Sequence, residues 1–137
     1  MRVMFSRPEA SDSKLQLTSF HCGAWDFILL QALKYCWLPR GTTVDDHGFY
    51  PQRTTDGNGG YAVHDIIDAR RMSAEDAAAM ADALERHCTV ELRRRANLAE
   101  FGHTVPTDDN DPTSPAKIAN FITFLRAGAL KFYAWDS

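Results

Sequence analysis

The sequence predicts an α+β domain in which three amphipathic helices pack on a small antiparallel sheet. Three observations lead there. Apolar residues recur at spacings of three and four in three separate stretches, the period of a helix buried along one face. Residues suited to helix ends, Ser73, Ser114 and Gly128 among them, flank those stretches. Short segments near both ends of the chain alternate with the period of two that a half-buried strand requires.

In chain order, Met1 to Ser6 reads as a short strand and Lys14 to Thr18, with Leu15 and Leu17, as a second; residues 1–13 otherwise read as a loosely ordered lead-in. Trp25, Ile28, Leu29, Ala32, Leu33 and Cys36 mark a first helix over Cys22 to Trp37. Pro39 and Gly41 are expected to end it, because proline cannot continue the hydrogen-bond ladder and glycine suits a C-terminal cap. Thr42 to Arg71 is turn-rich, with Asp56 to Gly60 as a turn cluster and Tyr61 to Ile67 as a strand that Phe49 and Tyr50 are placed to pair with. Ser73 caps a second helix, with Glu75 and Asp76 in its first turn and Ala77, Met80, Ala81, Leu84 and Cys88 on its apolar face. The pattern leaves two ends open for it, near Cys88 or on through Leu92 to Phe101. Gly102 to Thr113 is a polar acidic loop. Ser114-Pro115 then opens a third helix with Ile118, Phe121, Ile122 and Leu125 inward and Gly128 as its stop, and Leu130 to Trp135 forms a final strand.

Composition narrows the function classes. The 137 residues suit one domain, and 45% hydrophobic with 24% charged residues is a globular balance. Fifteen Lys and Arg stand against 18 Asp and Glu, a net charge of −3, which argues against a dedicated nucleic-acid binder and against docking on anionic lipid. Cys22, Cys36 and Cys88 form no C-x-x-C pair and are odd in number, so reduced thiols in a cytoplasmic protein are expected, with Cys36 and Cys88 as core residues. Met1 to Lys14 holds no apolar run of signal-peptide length, and Asp26, Gln31 and Lys34 interrupt the most apolar stretch, so no membrane span is expected.

Three blocks occur in a recognisable order: Trp37-Leu38-Pro39-Arg40-Gly41-Thr42 after an aromatic helix; Asn58-Gly59-Gly60-Tyr61 followed by Asp76-Ala77 and Ala81 to Glu85; and Phe121 to Gly128. Together they resemble a group of small bacterial proteins of the domain-of-unknown-function kind. The resemblance covers the chain from about Trp25 onward, with Asp65 to Asp68 and Leu125 departing from the pattern. It implies a bacterial source and carries over no catalytic residue.

Candidate sites are few. His21-Cys22 at a helix start pairs a thiol with an imidazole where the helix dipole favours a thiolate, but no third residue orients them. Asp45-Asp46-His47 and His64-Asp65 with Asp68 offer N and O ligands, yet the spacing matches no metal signature, and His64 and Asp65 would point to opposite faces of a strand. The glycine cluster lacks both the glutamate of a calcium loop and the Lys-Ser/Thr of a P-loop. Arg93-Arg94-Arg95, with Arg86 before them, form a basic collar around a helix, which Glu85, Glu91 and Glu100 are placed to neutralise in part. Tyr50, Tyr61 and Trp135 supply aromatic area near turns, the other half of the expected interaction surface.

These features predict a non-enzymatic protein-binding module without a cofactor or resident metal. Its partner would be another protein, either a second copy or a larger effector as for an inhibitor or immunity-type protein. The alternative is a small hydrolase or metal-dependent enzyme built on His47, His64, Asp65 and Asp68.

Overall fold

The computed structural model describes residues 2–40, 70–103 and 110–135, with Arg70 and residues 133–135 described for their backbone. The strands are β1 (Arg2–Ser6), β2 (Leu17–His21), β3 (Arg70–Met72) and β4 (Leu130–Trp135); the helices are α1 (Cys22–Lys34), α2 (Ala74–Glu100) and α3 (Pro115–Leu125). The four strands form one sheet in the order β2-β1-β4-β3, each neighbouring pair antiparallel. The α+β architecture is therefore as the sequence predicts.

Register decides which side of the sheet is buried. Val3 lies opposite Phe20, Phe5 opposite Phe132, and Met72 opposite Leu130. Cross-strand partners share a face, so these six side chains make one apolar surface, and all of them are buried. The helices pack on that surface through Trp25 and Ile28 of α1, Met80 and Leu84 of α2, and Ile118, Phe121 and Leu125 of α3, in one continuous core. At its centre the Phe5 ring meets Trp25 edge-on at 4.9 Å and Phe121 at 5.1 Å. Burying an aromatic side chain of this size contributes about 1.5–3 kcal/mol.

Several local details differ from the expectation. β1 is not among them: it forms where Met1 to Ser6 reads as a strand, between β2 and β4, with Val3 and Phe5 fully buried. Lys14 to Thr18 is no single strand, because Ser13–Leu15 make a 3-10 turn capped by the Asp12 carboxylate and β2 begins at Leu17. Arg70–Met72, at the end of what reads as a turn-rich stretch, is an edge strand whose apolar contribution is Met72 alone. The Phe49-Tyr50 and Tyr61 to Ile67 strand and the Asp56 to Gly60 turn lie outside the described residues.

The largest correction concerns the end of α1. The helix stops at Lys34, well before Pro39. Cys36 N–H donates to Leu33 O at 3.1 Å and Trp37 N–H to Ala32 O at 2.9 Å, with Cys36 in the left-handed region at φ 71°. That is a Schellman termination with cysteine where glycine is usual. Trp37 then folds back, fully buried, and its indole N–H donates to Asp76 O at 2.9 Å.

α2 settles the open end in favour of the longer helix. Its 27 residues extend about 40 Å at 1.5 Å per residue. Ser73 caps it as expected, accepting from Asp76 N–H at 3.1 Å. α3 begins at Ser114-Pro115 as expected, with the Ser114 hydroxyl accepting from Lys117 N–H at 3.3 Å. No described helix is long and apolar enough to cross a membrane.

Candidate functional site

α1 is apolar on both sides. With 100° between successive residues, Trp25, Ile28 and Ala32 fall on the side that enters the core, and Phe27, Leu30 and Leu33 fall on the other. Leu30 is 61% exposed and Leu33 42%, and Leu38 beyond the helix end is 73% exposed. A helix that is apolar all round ordinarily has neighbours all round. Exposed Asp26 stands at the N-terminal end of this outer stripe and exposed Lys34 at its C-terminal end.

The seam between α1 and α2 is closed by His87. Its ring meets Phe27 at 5.8 Å and Tyr35 at 6.2 Å, both edge-on. Burial pushes the imidazole below its ordinary pKa; the Glu91 carboxylate opposes that shift and the Lys34 ammonium adds to it. Arg86 reinforces the seam, donating from Nη1 to Tyr35 O at 3.3 Å.

Beyond Cys88 no residue of α2 is buried, and this is where the arginine collar lies. Glu91 holds two of its three members: Arg94 donates through Nε at 3.0 Å and Nη2 at 2.6 Å, and Arg95 through Nε at 3.0 Å. Hydrogen bonding from Arg94 is the main reason the Glu91 carboxyl is lowered to about 2. Glu85 does not serve the collar as expected. It pairs instead with Arg126 at 2.6 Å, and Arg126 also reaches Asp82 at 2.9 Å, so that one guanidinium ties α3 to α2. Arg93 borders a surface hollow with Arg86, Asp82 and Glu85 and makes no ion pair among the described residues.

The predicted interaction surface is thus only partly placed. Arg93, Arg94 and Arg95 sit on the far half of α2, while Tyr50 and Tyr61 lie outside the described residues. Trp135 belongs to β4 through its backbone, opposite Arg2. His47, His64, Asp65, Asp68, Asp45, Asp46 and Phe49 also lie outside the described residues. Among the described residues no group of three or more His, Cys, Asp or Glu is placed to hold a metal ion.

The cysteines part company. Cys22 Sγ and His21 Nδ1 lie 3.8 Å apart on the exposed surface. Cys88 is buried as expected, with burial and then Glu85 pushing its thiol up, and its Sγ lies 3.9 Å from Pro115 O. Cys36, expected in the core, is exposed, because the left-handed turn carries it off the helix face.

The outer stripe of α1 was missed in the sequence. Its signal is the run Phe27-Ile28-Leu29-Leu30, four consecutive apolar residues where a one-sided helix needs only two or three. No family model, no curated protein and no solved structure matches this chain.

Proposed function

We propose that this chain is a non-enzymatic, cytoplasmic protein-binding module whose partner is a second copy of itself, docked through the outer stripe of α1. The observation that carries this reading is the exposure of Phe27, Leu30 and Leu33 on a helix whose opposite side already fills the core. Exposed apolar side chains grouped on one element favour association, since burial releases about 25 cal/mol for each Å² removed from water. The choice of occupant rests on charge. Asp26 and Lys34 bracket the stripe with opposite signs, so two antiparallel α1 helices related by a two-fold axis set each Asp26 against the other copy's Lys34. A helix of 13 residues is about 20 Å long and offers less area than a standard interface, which points to a dimer of micromolar strength. The arginine collar, with Arg94 and Arg95 both held by Glu91, supplies a charged margin and not the centre. The bacterial family resemblance fits this reading as an expectation about source.

The test is sedimentation across about 1 to 500 μM, a range chosen to bracket micromolar association, for the intact chain and for Leu30→Glu. The intact chain is expected to shift from monomer to dimer, and the variant, with unchanged thermal unfolding, to stay monomeric. A monomer throughout, or a dimer indifferent to Leu30→Glu, removes the reading.

A further inference from the structure

A second region is independent of α1. At one end of the sheet, between the close of β1, the start of β4, β3 and the cap of α2, lies an open cleft of about 540 Å³. Its lining includes Ser6, Arg7, Glu9, Arg71, Ser73 and Lys131, three cations against one carboxylate in a chain whose net charge is −3.

Two features of this cleft are costly as they stand. Lys131 of β4 lies directly opposite Arg71 of β3, and both are exposed. Like charges directly opposite on neighbouring strands repel, their Cβ atoms being only about 4.5–5.5 Å apart. Neither side chain makes an ion pair or hydrogen bond among the described residues. The second feature is Arg7, only 8% exposed. Its guanidinium donates to four backbone carbonyls, those of Leu15 at 3.0 Å, Phe124 at 2.8 Å, Gly128 at 2.8 Å and Ala129 at 3.2 Å, and stacks 4.5 Å from the Phe124 ring centre. These contacts use four of its five N–H donors and cap the C-terminal end of α3, where carbonyls left over by the helix favour a cation. They supply no countercharge, and among the described residues no carboxylate pairs with it. A buried charge without a counter-ion is disfavoured.

From the unopposed Arg71–Lys131 pair and the buried Arg7 lining the same cleft, we infer that the cleft binds the phosphate group of a small phosphomonoester. Arg71 presents a planar fork to two phosphate oxygens, and Lys131 beside it adds a point charge. The Ser73 hydroxyl, whose oxygen already accepts from Asp76 N–H, keeps its own hydrogen to donate, and Ser6 stands in the same cross-strand row as Lys131 and Arg71. Arg7 contributes its field without giving up a backbone contact. Glu9 opposes binding and sets its strength. The acidic whole disfavours an extended polyanion, leaving a compact dianion as the fitting ligand.

The test titrates the isotope-labelled full chain with inorganic phosphate at constant ionic strength and follows backbone amide shifts, alongside the Arg71→Gln, Lys131→Gln double variant. The expected result is saturable shifts at Ser6, Arg71, Ser73 and Lys131. The double variant should bind at least about tenfold more weakly, the effect of losing one or two charge-assisted hydrogen bonds. Glycerol phosphate should reproduce the shifts, and acetate at the same ionic strength should not. Non-saturating shifts, shifts spread over the surface, equal response to acetate, or unchanged binding in the double variant would each overturn the inference. The double variant keeps its buried contacts, so its unfolding temperature separates lost binding from lost fold.

Discussion

α1 and α2 end in the same way with different residues. Both close through the same two hydrogen bonds: Cys36 to Leu33 and Trp37 to Ala32 after α1, Gly102 to Ala99 and His103 to Leu98 after α2. At the left-handed position one helix has Cys36 at φ 71° and the other Gly102 at φ 82°. Glycine adopts that conformation without strain, whereas an L side chain pays about 1–2 kcal/mol. The difference is made up one residue later. Trp37 is fully buried and bonded to Asp76 O, while His103 is exposed. A deep anchor after the turn therefore fixes the end of α1 where backbone preference alone would not.

The sharpest way to break this contrast is to remove the residue that follows each turn. Trp37→Ala is expected to destabilise the fold by about 3–5 kcal/mol, the usual cost of emptying a large buried aromatic site. His103→Ala should stay within about 0.5 kcal/mol, as an exposed substitution does; denaturant unfolding of the two variants checks both. Exchanging the turn residues gives smaller effects of opposite sign. Gly102→Ala should cost about 1 kcal/mol, a purely conformational penalty because an added Cβ there would meet nothing within 4 Å. Cys36→Gly should gain about 0.5 kcal/mol, the relief of left-handed strain less the extra freedom of glycine in the unfolded chain. If Cys36→Gly instead destabilises, the cysteine makes a contact that outweighs its strain.

Acidification should also separate the two helix ends. His87, packed beside Tyr35 at the end of α1, has its pKa lowered in the folded state. The unfolded chain then takes up the proton first, so this contribution is present above the ordinary value of 6.5 and is lost as pH falls through the folded value. Glu91, on the projecting half of α2, is lowered from 4.5 to about 2, so its contribution is present above 4.5 and disappears towards pH 2. Solvent screening around the exposed arginines keeps that contribution small. Unfolding free energies from pH 8 to 2 for the wild type, His87→Gln and Glu91→Gln resolve the two windows.

The same comparison shows what the sequence could disclose. α3 was legible because its signals are local: Ser114-Pro115 at the start and an inward stripe from Ile118 to Leu125. The start of α2 was legible for the same reason, through Ser73 and two acidic residues. The end of α1 was not, because Trp37 is held by Asp76, 39 residues away. Nor was β3, whose two arginines read as loop and whose place depends on pairing with β4. Arg7 gave no signal at all, since three of the carbonyls it satisfies lie 117 to 122 residues further on. For the candidate site, Arg93 to Arg95 were visible as a charge run and Glu91 as their neighbour at helical spacing, whereas the diversion of Glu85 to Arg126 depends on how α3 packs against α2. The outer stripe of α1 hid inside a pattern already explained by the core.

β1 and β4 are neighbours at the middle of the sheet, with Arg2 opposite Trp135. β1 therefore cannot complete its pairing until a strand from the far end of the described chain reaches it. Until residues 130–135 pair with β1, Val3 and Phe5 lack the Phe132 side of their core, and α1 and α2 carry apolar faces with nothing complete to cover them. Closure of so distant a pair comes late and slowly, so the apolar faces of a partly folded chain stay open to aggregation for as long as β4 is unpaired.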